Sequence, residues 1–435
     1  MAAKMPRAPS ASEFGKSDPV AYTCTCNQPG SVLLFYRYFA REPKLPQELI
    51  QRTSAPEMQA NFHREVCALN RLTGKIRVSE EGFNCTVAGS REGISAYMAA
   101  CSQNVFFTGL DLIGNKEKQD AFFKPAPGCK CVFTHLNVRV TSEITPLGVT
   151  SYSPSTWSAV KALSPAAFHK KCLEENVKLI DVRNHYESKI GYFVSPKSGE
   201  TIKPLIRRFS QWPQWVREHA SEINHGAEDV GIDGKQTPLL TYCTGGVRCE
   251  KGVRWMEEHL SATTAKHRPT FTLEGGIAAY LTWMESEVVA GRKTPDESLF
   301  KGHNYVFDAR GSTAIEGTTP VSSCHGCGSK TARLAKCATE NCHLVLVACE
   351  DCETGDIRCC QSCERLAEEP GVFGGKGGKT MCECEQEREK QLWGEKRVKE
   401  AKTQGWKTRK KMAQTTVHAI SMPKKNLNMT IESAG

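Results

Sequence analysis

Tyr242-Cys243-Thr244-Gly245-Gly246-Val247-Arg248-Cys249-Glu250-Lys251 places a cysteine between an apolar run and a helix-like segment, with small residues in between. The run before it, Pro238-Leu239-Leu240-Thr241-Tyr242, is short and apolar, as strands buried on both faces of a parallel sheet are. Gly245 and Gly246 free the backbone to turn N–H groups inward, the helix start adds positive partial charge, and Arg248 closes the loop. Such a cradle holds an anion and favours thiolate over thiol. Cys243 is therefore expected to be the reactive group, Thr244, Gly245, Gly246 and Val247 its loop, and Arg248 the support of the loop or of its anion. A persulfide or an oxidised sulfur would meet the same donors. Cys249 reads in two ways, as a resolving thiol for Cys243 or as a small packed residue at the helix start. Four residues separate Cys243 from Arg248, whereas a phosphatase loop of related design needs five to surround a phosphate.

Outward from this loop, Lys178-Leu179-Ile180-Asp181-Val182 is a second short apolar run, and helical stretches separate and follow the two. That is an α/β arrangement, in which loops at the carboxyl ends of the strands form the ligand crevice, and Cys243 falls there. The Pro-, Ser- and Thr-rich stretch from Thr145 to Thr156 reads as a linker. Ahead of it, Val32 to Phe39 reads as a buried strand, and Glu57 to Arg71 as a helix with Met58, Phe62, Val66 and Leu69 at helical spacing. Two short strands flank Glu80-Glu81-Gly82, then come a helix from Glu92 to Cys101 and a strand from Leu136 to Val140. The order β-α-β-β-α-β predicts a ferredoxin-like (acylphosphatase-like) α+β domain, an antiparallel sheet with two helices on one face. The organisation expected is a leader over 1–30, this domain over 31–145, a linker over 146–160, the α/β domain over 161–292, a cysteine-rich module over 293–368, and a basic, partly disordered tail over 369–435.

Bulk properties agree with several globular domains joined by polar segments: 435 residues, 39% hydrophobic and 24% charged. No stretch approaches the roughly 18 apolar residues of a membrane helix. The opening MAAKMPRAPSASEFGKSDPV has no apolar core of a signal peptide, and Glu13 and Asp18 argue against a transit peptide, so a cytoplasmic protein is expected. Twenty-one cysteines in such a chain point to metal ligation and reactive thiols rather than disulfides. Cys324-x2-Cys327, Cys337-x4-Cys342, Cys349-x2-Cys352 and Cys360-x2-Cys363 form four pairs, enough for two structural zinc ions held by four thiolates each. Cys359 is an alternative to Cys360, and His325 or His343 can replace a cysteine. Cross-bracing, which joins the first pair to the third, is preferred to a sequential arrangement.

Three segments resemble the signatures of a rhodanese domain: Leu179-Ile180-Asp181-Val182-Arg183, the Cys243 loop, and Leu273-Glu274-Gly275-Gly276-Ile277. The loop string is more similar still to one branch, the oxygen-dependent tRNA uridine-5 hydroxylases. Gly74 to Asn84, Val138-Arg139-Val140 and Glu143-Ile144 match the N-terminal domain of that branch. The resemblance spans Val32 to Ile277 and extends into the cysteine module. It implies a rhodanese domain over 161–292, Asp181 and Arg183 as supports of the active loop, and oxygen-dependent conversion of wobble uridine in tRNA to 5-hydroxyuridine with Cys243 essential. Dioxygen would be the cosubstrate and tRNA the partner, with a sulfur or electron donor protein as a further one. The alternatives are a sulfurtransferase that carries sulfur as a Cys243 persulfide, and a non-catalytic RNA-binding protein. For the RNA backbone the candidates are Lys75, Arg77, Lys407, Arg409, Lys410 and Lys411, with Trp393 and Trp406 available to stack on bases. Three features depart from the family pattern: Cys85 in place of a glycine, the insertion between Gly191 and Thr237, and the basic tail.

Overall fold

The structure is a computed structural model that describes residues 26–52, 56–224, 236–261, 268–339, 342, 344–368 and 382–393. The chain divides into two units, residues 1–384 and 385–435; in the second the described residues are 385–393, the greater part of a helix that begins at Glu383. Lys407, Arg409, Lys410, Lys411 and Trp406 lie outside the described residues, as does His343.

In the N-terminal domain the elements are β1 (Gly30–Tyr38), α1 (Gln47–Arg52), α2 (Pro56–Leu69), β2 (Thr73–Ser79), β3 (Gly82–Ser90), α3 (Arg91–Gln103), α4 (Lys116–Phe123), β4 (Ala126–Gly128) and β5 (Leu136–Val140). The sheet order is β4-β1-β3-β2-β5. All neighbours are antiparallel except β2 and β5, which run parallel. The ferredoxin-like order is thus completed by the short Ala126–Gly128. Leu136–Val140, read from the sequence as the fourth strand, is a fifth one at the opposite edge. Ala-Pro-Gly carries no apolar run, so only its pairing with β1 makes it a strand. Side chains alternate along β1, and Leu33 and Phe35 are fully buried against the helices. The Phe35 ring lies 4.9 Å from Phe123 and 6.0 Å from Phe83.

Helix α2 forms where its spacing predicts, but its buried stripe is Gln59, Ala60, His63 and Cys67, with Phe62 and Val66 at the margin. Met58 is 52% and Leu69 83% exposed, so the helix is turned about one residue from the apolar face read in the sequence. The small Ala60 and Cys67 let it approach the sheet. His63 is stabilised there by a 2.8 Å hydrogen bond to Tyr97 Oη, and burial pushes its pKa down to about 3.

The central domain comprises β6 (Lys161–Leu163), α5 (Pro165–Glu174), β7 (Lys178–Asp181), α6 (His185–Ile190), β8 (Gly191–Ser195), β9 (Gly199–Glu200), α7 (Trp212–Glu218), α8 (Ala220–Asn224), β10 (Leu239–Tyr242), α9 (Val247–Ser261), β11 (Thr270–Leu273) and α10 (Gly276–Val289). A parallel sheet, β6-β11-β10-β7, runs through it, and Leu179, Leu240, Tyr242 and Leu273 pack in its core with Phe168, Phe193, Ile277 and Tyr280. The insertion supplies β8 and β9, which join β12 (Phe300–Gly302) in a small sheet, and α7. From α7, Trp212 lies against α9 and donates Nε1–H to the Gly252 carbonyl at 2.9 Å. A Cβ at Gly252 would stand 2.7 Å from the Phe209 ring, which is why a glycine sits under this indole. Beyond β12 a hairpin of Leu334–Lys336 and Val345–Val347 carries the cysteine module.

Candidate active site

Parallel pairing of β10 between β7 and β11 delivers Cys243 to the carboxyl end of the sheet, where the chain leaves β10 and turns into α9. The thiol is completely buried and accepts the Gly246 N–H at 3.2 Å. Burial alone raises its pKa. The hydrogen bond from the Cys249 thiol, the nearby Arg248 charge and the backbone N–H groups of Cys249 and Arg248 outweigh that and hold it at about 6. Cys249 moves the opposite way, pushed well up by burial and by the hydrogen bond to the Cys243 sulfur, so the pair divides into a thiolate and a donating thiol.

Arg248 does not point its fork at the sulfur. It donates Nη1–H and Nη2–H to the two carboxylate oxygens of Glu187 at 2.7 and 2.8 Å, and Nη2–H also to Thr244 Oγ1 at 3.0 Å. Thr244 in turn donates to Glu187 Oε2 at 3.1 Å. Glu187 is fully buried, and although burial raises its pKa, the Arg248 charge more than offsets this and keeps it ionised. This closed triad fixes the Arg248 end of the loop while its charge still reaches Cys243. Sequence reading missed Glu187; the signal was the capping-box spacing Asn184-His185-Tyr186-Glu187, whose Glu187 also accepts the Asn184 N–H at 3.2 Å.

Asp181 and Arg183 form a buried fork, Nε to Oδ1 at 2.9 Å and Nη2 to Oδ2 at 2.6 Å, and Arg183 also donates to the Gly191 carbonyl at 2.6 Å. Among the described residues none of their hydrogen bonds reaches 243–248; they brace the end of β7, where the Val182 N–H donates to the Tyr242 carbonyl at 2.9 Å. The Gly275-Gly276 segment acts from the other side. In the first turn of α10 the N–H groups of Ile277 and Ala278 donate to the Cys243 and Thr244 carbonyls at 2.9 and 3.0 Å. A Cβ at Gly276 (φ +66°) would stand 2.4 Å from the Cys243 oxygen and 2.7 Å from the Gly246 nitrogen, so only glycine permits this approach.

The N-terminal domain closes the loop from above. Because Leu33 and Phe35 face their own core, Leu34, Tyr36 and Tyr38 emerge on the opposite face of β1. Leu34 lies over Gly245, where a Cβ would come within 2.9 Å of its Cδ2, and Tyr36 Oη lies 2.8 Å from the Cβ position of Gly246. Tyr36 donates to Glu250 Oε1 at 3.3 Å and Tyr38 to the Val247 carbonyl at 3.3 Å, while Arg41 pairs with Glu250 at 2.7 Å. Behind them Lys251, 1% exposed, joins Glu81 at 2.7 Å and Glu143 at 2.9 Å. Residues from three separated sequence motifs thereby meet in one ion cluster that ties the two domains together over the thiolate.

Two family models match the chain: a UPF0176 acylphosphatase like domain over residues 30–144 and a Rhodanase C-terminal region over 301–364. A tRNA uridine(34) hydroxylase of Streptococcus pyogenes is 31% identical over 336 residues, 76% of this chain and 86% of its own length. The chain belongs to the tRNA uridine(34) hydroxylase family. A Leptospira interrogans member is 32% identical over 275 residues, 62% of this chain and 66% of its own. Rhodanese-like domain-containing protein 6 of Arabidopsis thaliana is 30% identical over 77% of this chain, which spans only 52% of that longer relative.

The face of β1 that carries the Leu34 and Tyr36 lid continues across the sheet. Register aligns Tyr36 with Asn84, Asn84 with Arg77, and Arg77 with Arg139 in one cross-strand row. Lys75, one row along, donates to the Phe307 carbonyl at 2.9 Å and lies 5.5 Å from the Phe133 ring centre. Lys75 and Arg77 thus share a sheet face with the lid.

In the module, Cys324, Cys327, Cys349 and Cys352 converge, the cross-braced pairing, with Cys327 and Cys349 sulfurs 3.6 Å apart. A second group is Cys337, Cys342, Cys359 and Cys363, overlapped by Cys359, Cys360, Cys363 and Cys382. Cys359 is its hub, 3.7 Å from Cys342, 3.4 Å from Cys363 and 3.5 Å from Cys382. Cys360, the sequence choice, stands 3.8 Å from Cys359 at the edge. Cys382 was not anticipated, although Cys384 two residues on makes a fifth close cysteine pair in the chain. Neither group includes His325.

Proposed function

We propose that this protein hydroxylates the wobble uridine of tRNA at C5, with dioxygen as cosubstrate and Cys243 as the essential thiolate. The observation that carries the reading is a thiol held at about pKa 6 directly beneath Leu34 and Tyr36 of the family's own N-terminal domain. Glu187, Thr244 and Arg248 keep the loop rigid, Cys249 and the backbone N–H groups hold the negative charge, and the lid excludes water. Insertion of one oxygen atom leaves the second to be reduced to water by two electrons and two protons, so a reductant, delivered by a donor protein, belongs to the reaction. The sulfur is fully covered, so a nucleobase reaches it only when Leu34 and Tyr36 give way. Phosphates of the anticodon loop would run along Lys75 and Arg77, with Arg139 beside them, and Tyr36 or Tyr38 would meet the base.

The cysteine groups would hold zinc in a structural role. Four thiolates at about 2.3 Å from zinc stand about 3.8 Å apart, close to the spacings of the two groups, and a fully thiolate-bound ion has no position for substrate. Among the described residues no helix is long and apolar enough to cross a membrane, and the reading places the protein in the cytoplasm with its tRNA substrate. A second reading, sulfur transfer, is favoured by the same burial: a pocket closed to a base but lined with N–H donors suits a Cys243 persulfide formed from a small donor.

The experiment is mass spectrometry of nucleosides from tRNA incubated aerobically with the purified protein and a reductant, beside Cys243→Ser and an oxygen-free control. A gain of one oxygen on uridine that needs both Cys243 and oxygen is expected. No gain with zinc-loaded protein, together with a Cys243 persulfide after thiosulfate, would replace hydroxylation by sulfur transfer. Binding of tRNA without either product would leave an RNA-binding protein.

A further inference from the structure

We propose that Cys26, Cys129 and Cys131 form a thiolate metal site, separate from the C-terminal module, that binds one zinc ion and pins the start of β1 to the edge of its sheet. The three sulfurs lie within 4.8 Å of one another although they come from opposite ends of the domain's chain. Antiparallel pairing of β1 with β4, with Gly30 opposite Gly128, brings them together: continued past that pair, the chain before Gly30 runs beside the chain after Gly128. A zinc ion with bonds of about 2.3 Å needs sulfurs about 3.8 Å apart, a contraction of about 1 Å at most from the arrangement present.

The cysteine arm on the 126–132 segment is braced by hydrogen bonds that need no ion. The Val132 N–H donates to the Cys129 carbonyl at 3.1 Å, Thr73 Oγ1 donates to the Lys130 carbonyl at 2.7 Å, and the Ala309 N–H donates to the Val132 carbonyl at 3.1 Å. Cys129 is buried, while Cys26 and Cys131 are half-buried, which leaves an entry for an ion. Once deprotonated, three sulfurs this close repel one another unless a cation lies between them, and all-sulfur donors select a soft or borderline ion such as zinc. Three protein ligands leave a fourth position for water or a further thiolate. In the sequence Cys24 repeats the Cys-x-Cys spacing ahead of Cys26, and it lies outside the described residues. The consequence reaches the lid. β1 carries Leu34 and Tyr36 to the Cys243 loop, and a slip of one residue would turn both into the domain core, so an ion at the head of β1 and β4 holds the register the lid needs.

The test uses the full chain, loaded with zinc and freed of excess. Metal analysis of Cys129→Ser/Cys131→Ser should give one zinc fewer per chain than the wild type, and Cys324→Ser/Cys327→Ser should lose zinc independently of it. Because the double variant can fail to fold, the unaltered protein is also treated with iodoacetamide and mapped by peptide. Cys26 and Cys131 should resist labelling until a chelator is added. Equal zinc contents in variant and wild type would overturn the proposal. So would labelling of Cys26 and Cys131 without a chelator, or a disulfide joining any two of the three in the purified protein.

Discussion

Replacing Cys249 with alanine tests the origin of the Cys243 thiolate. In the native loop Cys243 is held at about 6 by a set of contributions of which the Cys249 hydrogen bond is the largest favourable one. A hydrogen bond to a charged group is worth about 1.5–3 kcal/mol, and one pKa unit corresponds to about 1.4 kcal/mol, so Cys249→Ala should raise the Cys243 pKa by about one to two units. At pH 7 the thiolate fraction would then fall from about nine-tenths to about half or less. The assay is the rate of iodoacetamide labelling at Cys243, resolved by peptide mapping, as a function of pH. Its midpoint reports ionisation even where the lid slows every rate alike. Stability carries the same sign: the folded pKa lies below the unfolded value of about 8.5, so the thiolate contributes about 3 kcal/mol that is fully present above pH 8.5 and is lost as pH falls through about 6. An identical midpoint in wild type and variant would refute the role given to Cys249. A wild-type midpoint at the free-thiol value would refute the whole electrostatic account.

Three further outcomes are expected. Lys251→Met leaves Glu143 buried, and Glu81 beside it, without their cation, and should destabilise the chain by about 3–5 kcal/mol; a thermal unfolding midpoint equal to the wild type would remove the ion cluster as the tie between domains. Gly276→Ala should abolish both turnover and the low Cys243 pKa, because its Cβ meets loop backbone at 2.4 Å. Gly199→Ala, also at positive φ but with nothing within 4 Å, should cost only about 1 kcal/mol and leave activity intact; equal behaviour of the two would contradict the packing argument. Arg77→Glu combined with Arg139→Glu should weaken tRNA binding and flatten its dependence on log salt by roughly 0.7 for each lost phosphate contact on a single strand, and an unchanged slope in filter binding would take this row out of the RNA path.

Local chemistry made the active loop legible from sequence. A strand end, two glycines, an arginine and a helix start specify an anion cradle whatever surrounds them, and the observed loop is built from those parts, with Cys243 at the end of β10. Periodicity likewise located α2 and the strands β1, β7 and β10, since the alternation and spacing of apolar residues follow from backbone geometry. It did not give the rotation of α2, because which stripe is buried depends on the fit of Ala60 and Cys67 against the sheet rather than on hydrophobicity summed over a window.

Contacts between residues far apart in the chain came from packing alone. Glu187 as the partner of Arg248, the Leu34 and Tyr36 lid, and Lys251 between Glu81 and Glu143 all bring together groups whose own neighbours in sequence say nothing of each other. Cys26 reaches Cys129 and Cys131, and Cys382 reaches Cys359, for the same reason. Local sequence carried the chemistry of the thiolate, because the groups that favour its charge, Cys249, Arg248 and their backbone N–H groups, belong to the loop itself. What covers that thiolate, what fastens the cover and which sulfurs share an ion were settled by the pairing of strands and the packing of domains, which act over distances no motif spans.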